Sequence, residues 1–414
     1  MAEKEPLRAL ILSGGGGRGG FHIGAYEYLL NQQDWKPDVV IGTSIGALNG
    51  SLIASGYSVQ DLKDFWLGND PEKPNLHEVN HVEGIPKRMK PVTRAIERMI
   101  MRYVLQDRLK IANPSNMPEP NEGWTALPET RTDEETGKTR TIHLIRFINR
   151  MFGDNVSLLD TGPLKETLSR ALEIDPDEDD AVIAFREEML LMVNAVNVKT
   201  GQHEIFSSQP VDSLEMPVNS YFSKYDDVQE GITLQHIMAS ASIPAVYPWT
   251  QIGDRFYWDG AFVNNTPIGA VLDAAHTLDP DGDRPLEVAC VLLSPWYDGE
   301  EEEQRGYHVL PKNYLDSVNF ALDWMLLSSF REQLKLFYLM REMDGQLRSL
   351  KSQGEELMRW RQMKFLITAP NPAEVYPGNS YPIWRIIDYD RRLTQRLMDH
   401  GFEQTQAAWE KGFR

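Results

Sequence analysis

A glycine-rich segment close to residue 14 most restricts how this chain can fold. Six of the seven residues from Gly14 to Gly20 are glycine, and the seventh is Arg18. The segment follows an apolar run at residues 7–13, which predicts a buried strand, and precedes a predicted helix over about residues 20–31. Glycine loses more backbone entropy on folding than any other residue, so this run indicates that the backbone must approach another group closely.

A second motif follows the next predicted strand. The pentapeptide Gly42-Thr43-Ser44-Ile45-Gly46 lies between an apolar run that begins at Val39 and a predicted helix over residues 45–54. This is the setting of a nucleophile elbow, in which a serine occupies a sharp turn between a strand and a helix. The helix dipole at such a turn favours developing negative charge. The motif therefore predicts that Ser44 is a nucleophile.

The glycine loop can serve such a serine. A row of unobstructed N–H groups is suited to binding an anion or an oxyanion. The backbone amides of Gly15, Gly16 and Gly17 would form an oxyanion hole for Ser44, and Arg18 would help to fix the loop.

The same loop also fits a different class of enzyme. Gly14, Gly16 and Gly19 match G-x-G-x-x-G, the fingerprint of dinucleotide-binding domains. That fingerprint also requires an acidic residue at the end of the second strand. Asp38 is nearby but precedes that strand, so the dinucleotide hypothesis remains the weaker alternative.

A general base for the serine is suggested by Asp259, which follows Phe256-Tyr257-Trp258 and precedes Gly260. An Asp-Gly pair is usually a turn, but a carboxylate beside aromatic residues can be partly desolvated, which raises its basicity. A Ser-His-Asp triad is the competing arrangement, although none of the downstream histidines has a distinctive setting; His276 is the first to test.

Four motifs follow one another along the chain: the glycine loop with its arginine, the serine elbow, the small-residue segment 239–248 and the Asp-Gly-Ala triplet at residues 259–261. Patatin-like phospholipases have the same motifs in the same order, and this chain resembles them. The resemblance covers residues 7–68 well and about 155–295 more loosely. It implies a three-layer α/β/α fold with a mainly parallel sheet, in which a Ser-Asp dyad hydrolyses acyl esters of lipids without histidine, metal or cofactor. By position, it makes Ser44 the nucleophile and Asp259 the base, with supporting roles for Gly14, Arg18, Gly19, Gly42, Gly46 and Gly260.

The same site would be an acyltransferase if an alcohol or a lysolipid replaced water, and an inactive lipid-binding relative is a further alternative. A calcium loop at Asp175, Asp177 and Asp179 is not expected, because its sixth position is Asp180 rather than glycine and its twelfth is Arg186 rather than glutamate. We therefore expect no metal.

The predicted organisation is one patatin-like α/β hydrolase domain over residues 1–300, with an insertion at about 80–150, followed by a mostly helical extension over 301–414 that packs on the core. The insertion is suggested by the proline-rich stretch 112–141, and the extension by the run 314–343, which is rich in Leu, Phe and Met and has neither proline nor glycine.

Composition restricts the partners. The chain has 42 Lys and Arg against 61 Asp and Glu, a net charge of −19, which argues against binding nucleic acid. A single cysteine, Cys290, is typical of a reducing compartment. Residues 1–8 lack the apolar core of a signal peptide, and no apolar run approaches 18 residues. We therefore expect a cytoplasmic protein, and leave its oligomeric state open.

One segment departs from this acidic balance. Residues 87–110 contain eight basic and two acidic residues. On a helix, Arg94, Arg98 and Arg102 would lie opposite an apolar face, which is typical of peripheral contact with an anionic membrane, here the inner membrane surface. The alternative is an ordinary surface helix.

Overall fold

The computed structural model describes residues 4–76, 161–211, 231–244, 246–296, 314–350, 363–375, 389 and 391–414. The chain forms two compact units: one comprises Met1–His81, Thr161–Ile243 and Trp249–Arg414, and the other Val82–Asp160 with Pro244–Pro248. The features below belong to the first unit. The basic segment with Arg94, Arg98 and Arg102 and the insertion at about 80–150 lie outside the described residues.

An eight-stranded sheet forms the centre of this unit. Its order is β5-β6-β3-β2-β1-β7-β8, with β4 also paired to β3. The strands β3, β2, β1, β7 and β8 run parallel, whereas β4 and β6 are antiparallel to β3, and β5 is antiparallel to β6. The strands are β1 Leu7–Leu12, β2 Val39–Thr43, β3 Leu190–Asn197, β4 His203–Ser207, β5 Thr250–Ile252, β6 Arg255–Asp259, β7 Leu286–Val291 and β8 Met363–Thr368.

The central strands are buried on both faces. Alternate residues of β1 enter different hydrophobic clusters: Leu10 and Leu12 belong to one, and Ala9 and Ile11 to the other. Strands covered on both faces are continuous apolar runs, which is the pattern that predicted them. The two clusters separate the sheet from a helical layer on each side, so the three-layer α/β/α prediction is confirmed.

Helices α1, α2, α3 and α10 contribute to the first cluster, and α7 and α8 to the second. A capping box begins α3, since Ser58 and Asp61 exchange backbone-to-side-chain hydrogen bonds of 3.1 and 3.2 Å. The helices are α1 Gly20–Glu27, α2 Ile45–Ala54, α3 Val59–Leu67, α4 Gly162–Ala171, α5 Leu234–Ser240, α6 Ala261–Asn264, α7 Ile268–Leu278, α8 Tyr314–Leu350, α9 Pro372–Val375 and α10 Arg391–Lys411.

The residues beyond 300 supply more than helices. The single long helix α8 matches the predicted apolar run, but β8 was not predicted; it extends the sheet by pairing with β7 in parallel, with Met363 opposite Leu286. The apolar sequence of β8 is short and follows a charged stretch, so it gives only a weak local signal for a strand. Residues 363–368 form a strand because they pair with the free edge of β7. No helix within the described residues is long and apolar enough to cross a membrane.

Candidate active site

Ser44 lies in the turn between β2 and α2 in a conformation that serine rarely adopts, with φ 58° and ψ −124°. Its carbonyl oxygen accepts hydrogen bonds from Ala47 N–H (2.9 Å) and Leu48 N–H (3.2 Å), which start the helix. A Cβ on Gly46 would lie 2.0 Å from the Leu12 carbonyl oxygen, and one on Gly42 would lie 2.4 Å from the backbone of α2. Only glycine fits at either position, so the strained turn of an elbow is built here.

The sheet register brings Asp259 to this turn. Thr43, the last residue of β2, pairs with Asn194, and Asp259, the last residue of β6, pairs with Ala195. Because β2 is parallel to β3 and β6 is antiparallel to it, the carboxyl ends of β2 and β6 converge. Ser44 and Asp259 are therefore neighbours although 215 positions separate them, and the Ser44 side chain lies close enough to the Asp259 carboxyl group to lower its pKa.

Burial determines the acidity of this carboxyl group. Asp259 is only 2% exposed, and its loss of hydration raises its pKa to about 7. The nearby Ser44 side chain and the hydrogen bond from Ala261 N–H (2.9 Å) oppose this rise. A carboxyl group with a pKa near 7 can be ionised at neutral pH and still accept a proton readily.

The glycine loop borders the serine. A Cβ on Gly14 would lie 3.1 Å from the Ser44 Cβ, and the Gly14 N–H is already used, since it donates to Asn265 Oδ1 at 2.6 Å. The next three N–H groups have no acceptor within the described part of the chain: those of Gly15, Gly16 and Gly17. The backbone turns here into a short 3-10 helix, Gly16–Gly19, with a positive φ of 56° at Gly16.

Arg18 ties this loop to the interior of the protein. Its guanidinium is buried, donates to the Leu293 carbonyl oxygen at 3.0 Å and pairs with the carboxylate of Asp323 on α8. Ser294 Oγ donates to the same carboxylate at 3.0 Å. The arginine thus points into the protein, where it ties the loop to Leu293 and to α8.

Helix α8 also holds the segment that follows Asp259 and Gly260. Gln333 Nε2 donates to Asn264 Oδ1 at 2.8 Å, and its Oε1 accepts from Ile268 N–H at 3.1 Å. Ser329 Oγ accepts from Asn265 N–H at 3.3 Å. One helix from beyond residue 300 therefore supports both halves of the site, a contribution that the sequence analysis did not predict.

Ser240 is another site residue that sequence reasoning missed. Its buried hydroxyl accepts from Ser44 N–H at 2.8 Å and donates to the Asn194 carbonyl oxygen at 2.6 Å. It therefore ties the elbow to β3 and satisfies an N–H at the strained position. Its only signal in the sequence is its place in the small-residue segment at the end of α5, since nothing there indicates which strand it faces.

The histidines among the described residues do not take part in this arrangement. Across the described ranges, no hydrogen bond joins a histidine to Ser44 or Asp259; His276 lies in the last turn of α7. Burial lowers the pKa of His22 to about 3, and its Nδ1 lies 3.2 Å from the Asn49 side-chain amide. No group of three or more His, Cys, Asp or Glu side chains among the described residues has a metal-binding arrangement.

Comparison with known families agrees with this architecture. The family model of patatin-like phospholipase matches residues 10–272, more than half of the 414-residue chain. The chain belongs to the patatin-like phospholipase family. Family membership confirms the predicted resemblance and supports a lipid hydrolase activity. The matched region includes the elbow, the glycine loop and Asp259.

Similar solved structures include VipD from Legionella pneumophila, with 15% identity and a TM-score of 0.37 over 100% of this chain and 68% of that one. Another is the ExoU-SpcU complex of the Pseudomonas aeruginosa type III secretion system, with 16% identity and a TM-score of 0.26 over 80% of this chain and 52% of that one. No curated protein matches the sequence significantly. The fold assignment rests on the family match and the sheet topology.

Proposed function

We propose that this protein hydrolyses carboxylic esters of lipids, as a phospholipase A or lysophospholipase, with Ser44 and Asp259 as a catalytic dyad. The observation that carries the proposal is the convergence of β2 and β6, which joins a strained serine to a buried carboxyl group with a pKa near 7. The substrate is a lipid or another acyl ester, and we place the reaction in the cytoplasm, at a membrane surface. Neither a metal nor a cofactor is part of the proposed chemistry.

In the proposed mechanism, the Asp259 carboxylate accepts the hydroxyl proton as Ser44 Oγ attacks the ester carbonyl carbon. The N–H groups of Gly15, Gly16 and Gly17 stabilise the tetrahedral oxyanion, since they have no acceptor among the described residues. The alkoxide leaves with the proton that Asp259 had accepted, which gives an acyl-serine. Water then attacks this acyl group as Asp259 accepts its proton. The fatty acid is released when the intermediate collapses and Asp259 returns that proton to the leaving Ser44 Oγ, which restores the free enzyme.

The dinucleotide alternative fails on the position of Asp38. This residue precedes β2, and its carboxylate accepts from Arg8 N–H at 2.8 Å and pairs with Arg284 at 3.2 Å. The glycine loop follows the carboxyl end of β1, and β1 and β2 are parallel. Asp38 therefore lies at the opposite end of the strands from the loop, where it cannot hold a ribose bound there.

A fluorophosphonate probe tests the proposal, because it labels only an activated serine. We expect the wild type to be labelled at Ser44, as located by peptide mass spectrometry, and Ser44→Ala to remain unlabelled. Ser328→Ala is the matched control, since this serine is exposed on α8 and should label like the wild type. Labelling at another residue, or none in a correctly folded wild type, would refute the role of Ser44. Incubation with mixed lipids and an alcohol then separates hydrolysis from acyl transfer by the products.

The rate should follow the ionisation of Asp259. Because its pKa is raised to about 7 and the base must be ionised, kcat/KM for a soluble ester should fall about tenfold per pH unit below this value and level off above it. A pH series with p-nitrophenyl butyrate, with circular dichroism at each pH as the folding control, measures this. A rate that stays constant between pH 5 and pH 8 would exclude Asp259 as the base.

A further inference from the structure

One buried side chain, Asn265, holds the start of the glycine loop. Its amide contacts both polar backbone groups of Gly14: Oδ1 accepts from Gly14 N–H at 2.6 Å, and Nδ2 donates to the Gly14 carbonyl oxygen at 3.4 Å. Because the nearer atom faces an N–H, it must be the amide oxygen, and the amide nitrogen then faces the carbonyl. Asn265 is only 2% exposed. A single planar amide therefore bonds to the peptide groups on both sides of Gly14.

This contact requires glycine at position 14. A Cβ on Gly14 would lie 2.7 Å from Asn265 Oδ1, closer than two such atoms can approach. The same Cβ would lie 3.1 Å from the Ser44 Cβ. The backbone of Gly14 thus lies between the Asn265 amide and the proposed nucleophile, and any side chain there would push the amide away from the loop.

The bond to the Gly14 carbonyl sets the direction of the next N–H. In a planar trans peptide, the carbonyl of Gly14 and the N–H of Gly15 point in opposite directions. Since the carbonyl faces Asn265, the Gly15 N–H points away from it. This N–H has no acceptor within the described part of the chain, and Gly15 is half-buried, whereas the other residues of Gly14–Gly20 are buried. The orientation of one peptide therefore decides whether the Gly15 N–H is available to a substrate.

The loop alone does not fix this orientation. With glycine on both sides, no side chain obstructs a rotation of the Gly14–Gly15 peptide. The hydrogen bond within the loop, from Arg18 N–H to the Gly15 carbonyl oxygen at 3.3 Å, involves the following peptide. Ser13 Oγ lies 3.5 Å from the Gly14 carbonyl oxygen, but a hydroxyl hydrogen can rotate away. The Asn265 Nδ2, in contrast, is fixed by the short bond that Oδ1 makes on the same rigid amide.

The position of Asn265 is itself fixed by β3 and α8. Its N–H donates to Ser329 Oγ at 3.3 Å. The preceding carbonyl oxygen, that of Asn264, accepts from Asn194 Nδ2 at 2.5 Å, and Asn264 Oδ1 accepts from Gln333 Nε2 at 2.8 Å. The segment that carries the proposed general base is thus the segment that holds the glycine loop.

We propose that Asn265 is a positioning residue, which keeps the Gly15 N–H directed at the developing oxyanion and the Gly14 carbonyl directed away from it. In the opposite orientation, the carbonyl oxygen would bring partial negative charge to the place where the oxyanion forms, and one donor would be lost. Asn265 acts through Gly15 and does not touch the substrate. This role rests on the proposed hydrolase function.

Two variants of Asn265 test this role. Asn265→Asp keeps the shape and the acceptor for Gly14 N–H, but an ionised carboxylate has no donor for the Gly14 carbonyl and repels it. Assays at about pH 8.5 favour that ionised form. Asn265→Ala removes both groups without adding a charge. Asn371→Ala is the matched control, since Asn371 is also buried and its amide donates to the Glu374 carboxylate at 2.6 Å. Melting temperatures establish that each protein folds.

We expect both Asn265 variants to lower kcat for p-nitrophenyl butyrate about a hundredfold with little change in KM, because one oxyanion donor is lost. Asn371→Ala should keep the wild-type kcat. A trifluoromethyl ketone gives a second readout, since Ser44 Oγ adds to its carbonyl carbon and the oxygen becomes the same oxyanion. Its inhibition constant should rise by the same factor as kcat/KM falls. A smaller folded fraction would lower kcat and leave this constant unchanged.

Crystal structures of the wild type and of Asn265→Asp show the peptide directly. We expect the Gly14 carbonyl to face Asn265 in the wild type, and the Gly15 N–H to face the new carboxylate in the variant. An unturned peptide, an unchanged inhibition constant or a wild-type kcat in folded Asn265 variants would refute the role of Asn265 while leaving the hydrolase function intact. A folded wild type without turnover would instead refute the hydrolase function, and this role with it.

Discussion

Replacing Asp259 with asparagine is expected to lower ester turnover by at least about a hundredfold, because the amide cannot accept the serine proton. Asparagine keeps the shape of the side chain and its acceptor oxygen for Ala261 N–H, so the fold should persist. Ser44→Ala should abolish turnover altogether. The measurement is kcat/KM for a soluble short-chain ester, with melting temperature determined in parallel.

The stability of Asp259→Asn provides a second, independent readout. The pKa of this carboxyl group rises from 3.8 to about 7 on folding, so the folded protein holds the proton more tightly than the unfolded chain. The bound proton therefore stabilises the folded protein, and this stabilisation is complete below about pH 4. As the pH rises to about 7 the proton dissociates, and the free energy of unfolding falls by an amount on the order of 4 kcal/mol. Asparagine has no such dependence. The melting temperature of the variant relative to wild type should therefore increase from pH 4 to pH 8.

Together the two readouts distinguish a catalytic role from a structural one. A purely structural aspartate would lose stability and activity together when replaced. An Asp259→Asn protein that retains more than about a tenth of the wild-type rate would refute the dyad, since the loss of a general base typically costs a hundredfold or more. His276→Ala would then be the next variant to measure.

Replacing Asp323 with alanine is expected to destabilise the protein by about 3–5 kcal/mol, because it leaves the Arg18 guanidinium buried without its carboxylate. Both side chains are only 5% exposed, so water cannot replace the lost partner. Thermal or urea unfolding measures this loss. Lys36→Ala is the matched control: it breaks an ion pair with Asp34 whose side chains are 69% and 83% exposed, and should leave stability unchanged.

A double variant separates the stability of this pair from its effect on the loop. Arg18→Met with Asp323→Leu removes both charges, and stability should return close to the wild-type value. The hydrogen bond from Arg18 to the Leu293 carbonyl oxygen is lost in this variant, so the glycine loop is less well held. We therefore expect kcat to be lower than in the wild type, with KM little changed. Recovery of full kcat in the double variant would show that the pair contributes to stability alone.

The elements around β1 and β2 could be predicted from the sequence because their signals are local. Apolar runs ending in glycine define both strands, and the positions of Gly42 and Gly46 indicate the strained turn without reference to any other part of the chain. The capping box that begins α3 is equally local, with its two partners three residues apart. Such signals depend on backbone sterics and short-range hydrogen bonds, so neighbouring residues suffice to specify them.

The contacts that complete the candidate site depend on tertiary structure. Ser240 donates to β3, Gln333 holds the segment after Asp259, and Asp323 neutralises Arg18 across 305 positions; none of them has a recognisable pattern of its own. Strand β8 likewise required the free edge of β7.

The motifs of the sequence and the family that they resemble therefore predicted the three-layer class of the fold and pointed to the elbow and the glycine loop. Which groups meet there, and how acidic they are, depends on the folded chain. The physical reason is that the pairing of β3 with both β2 and β6 sets the proximity of Ser44 and Asp259, and burial sets the pKa of the carboxyl group, and both are properties of the assembled sheet.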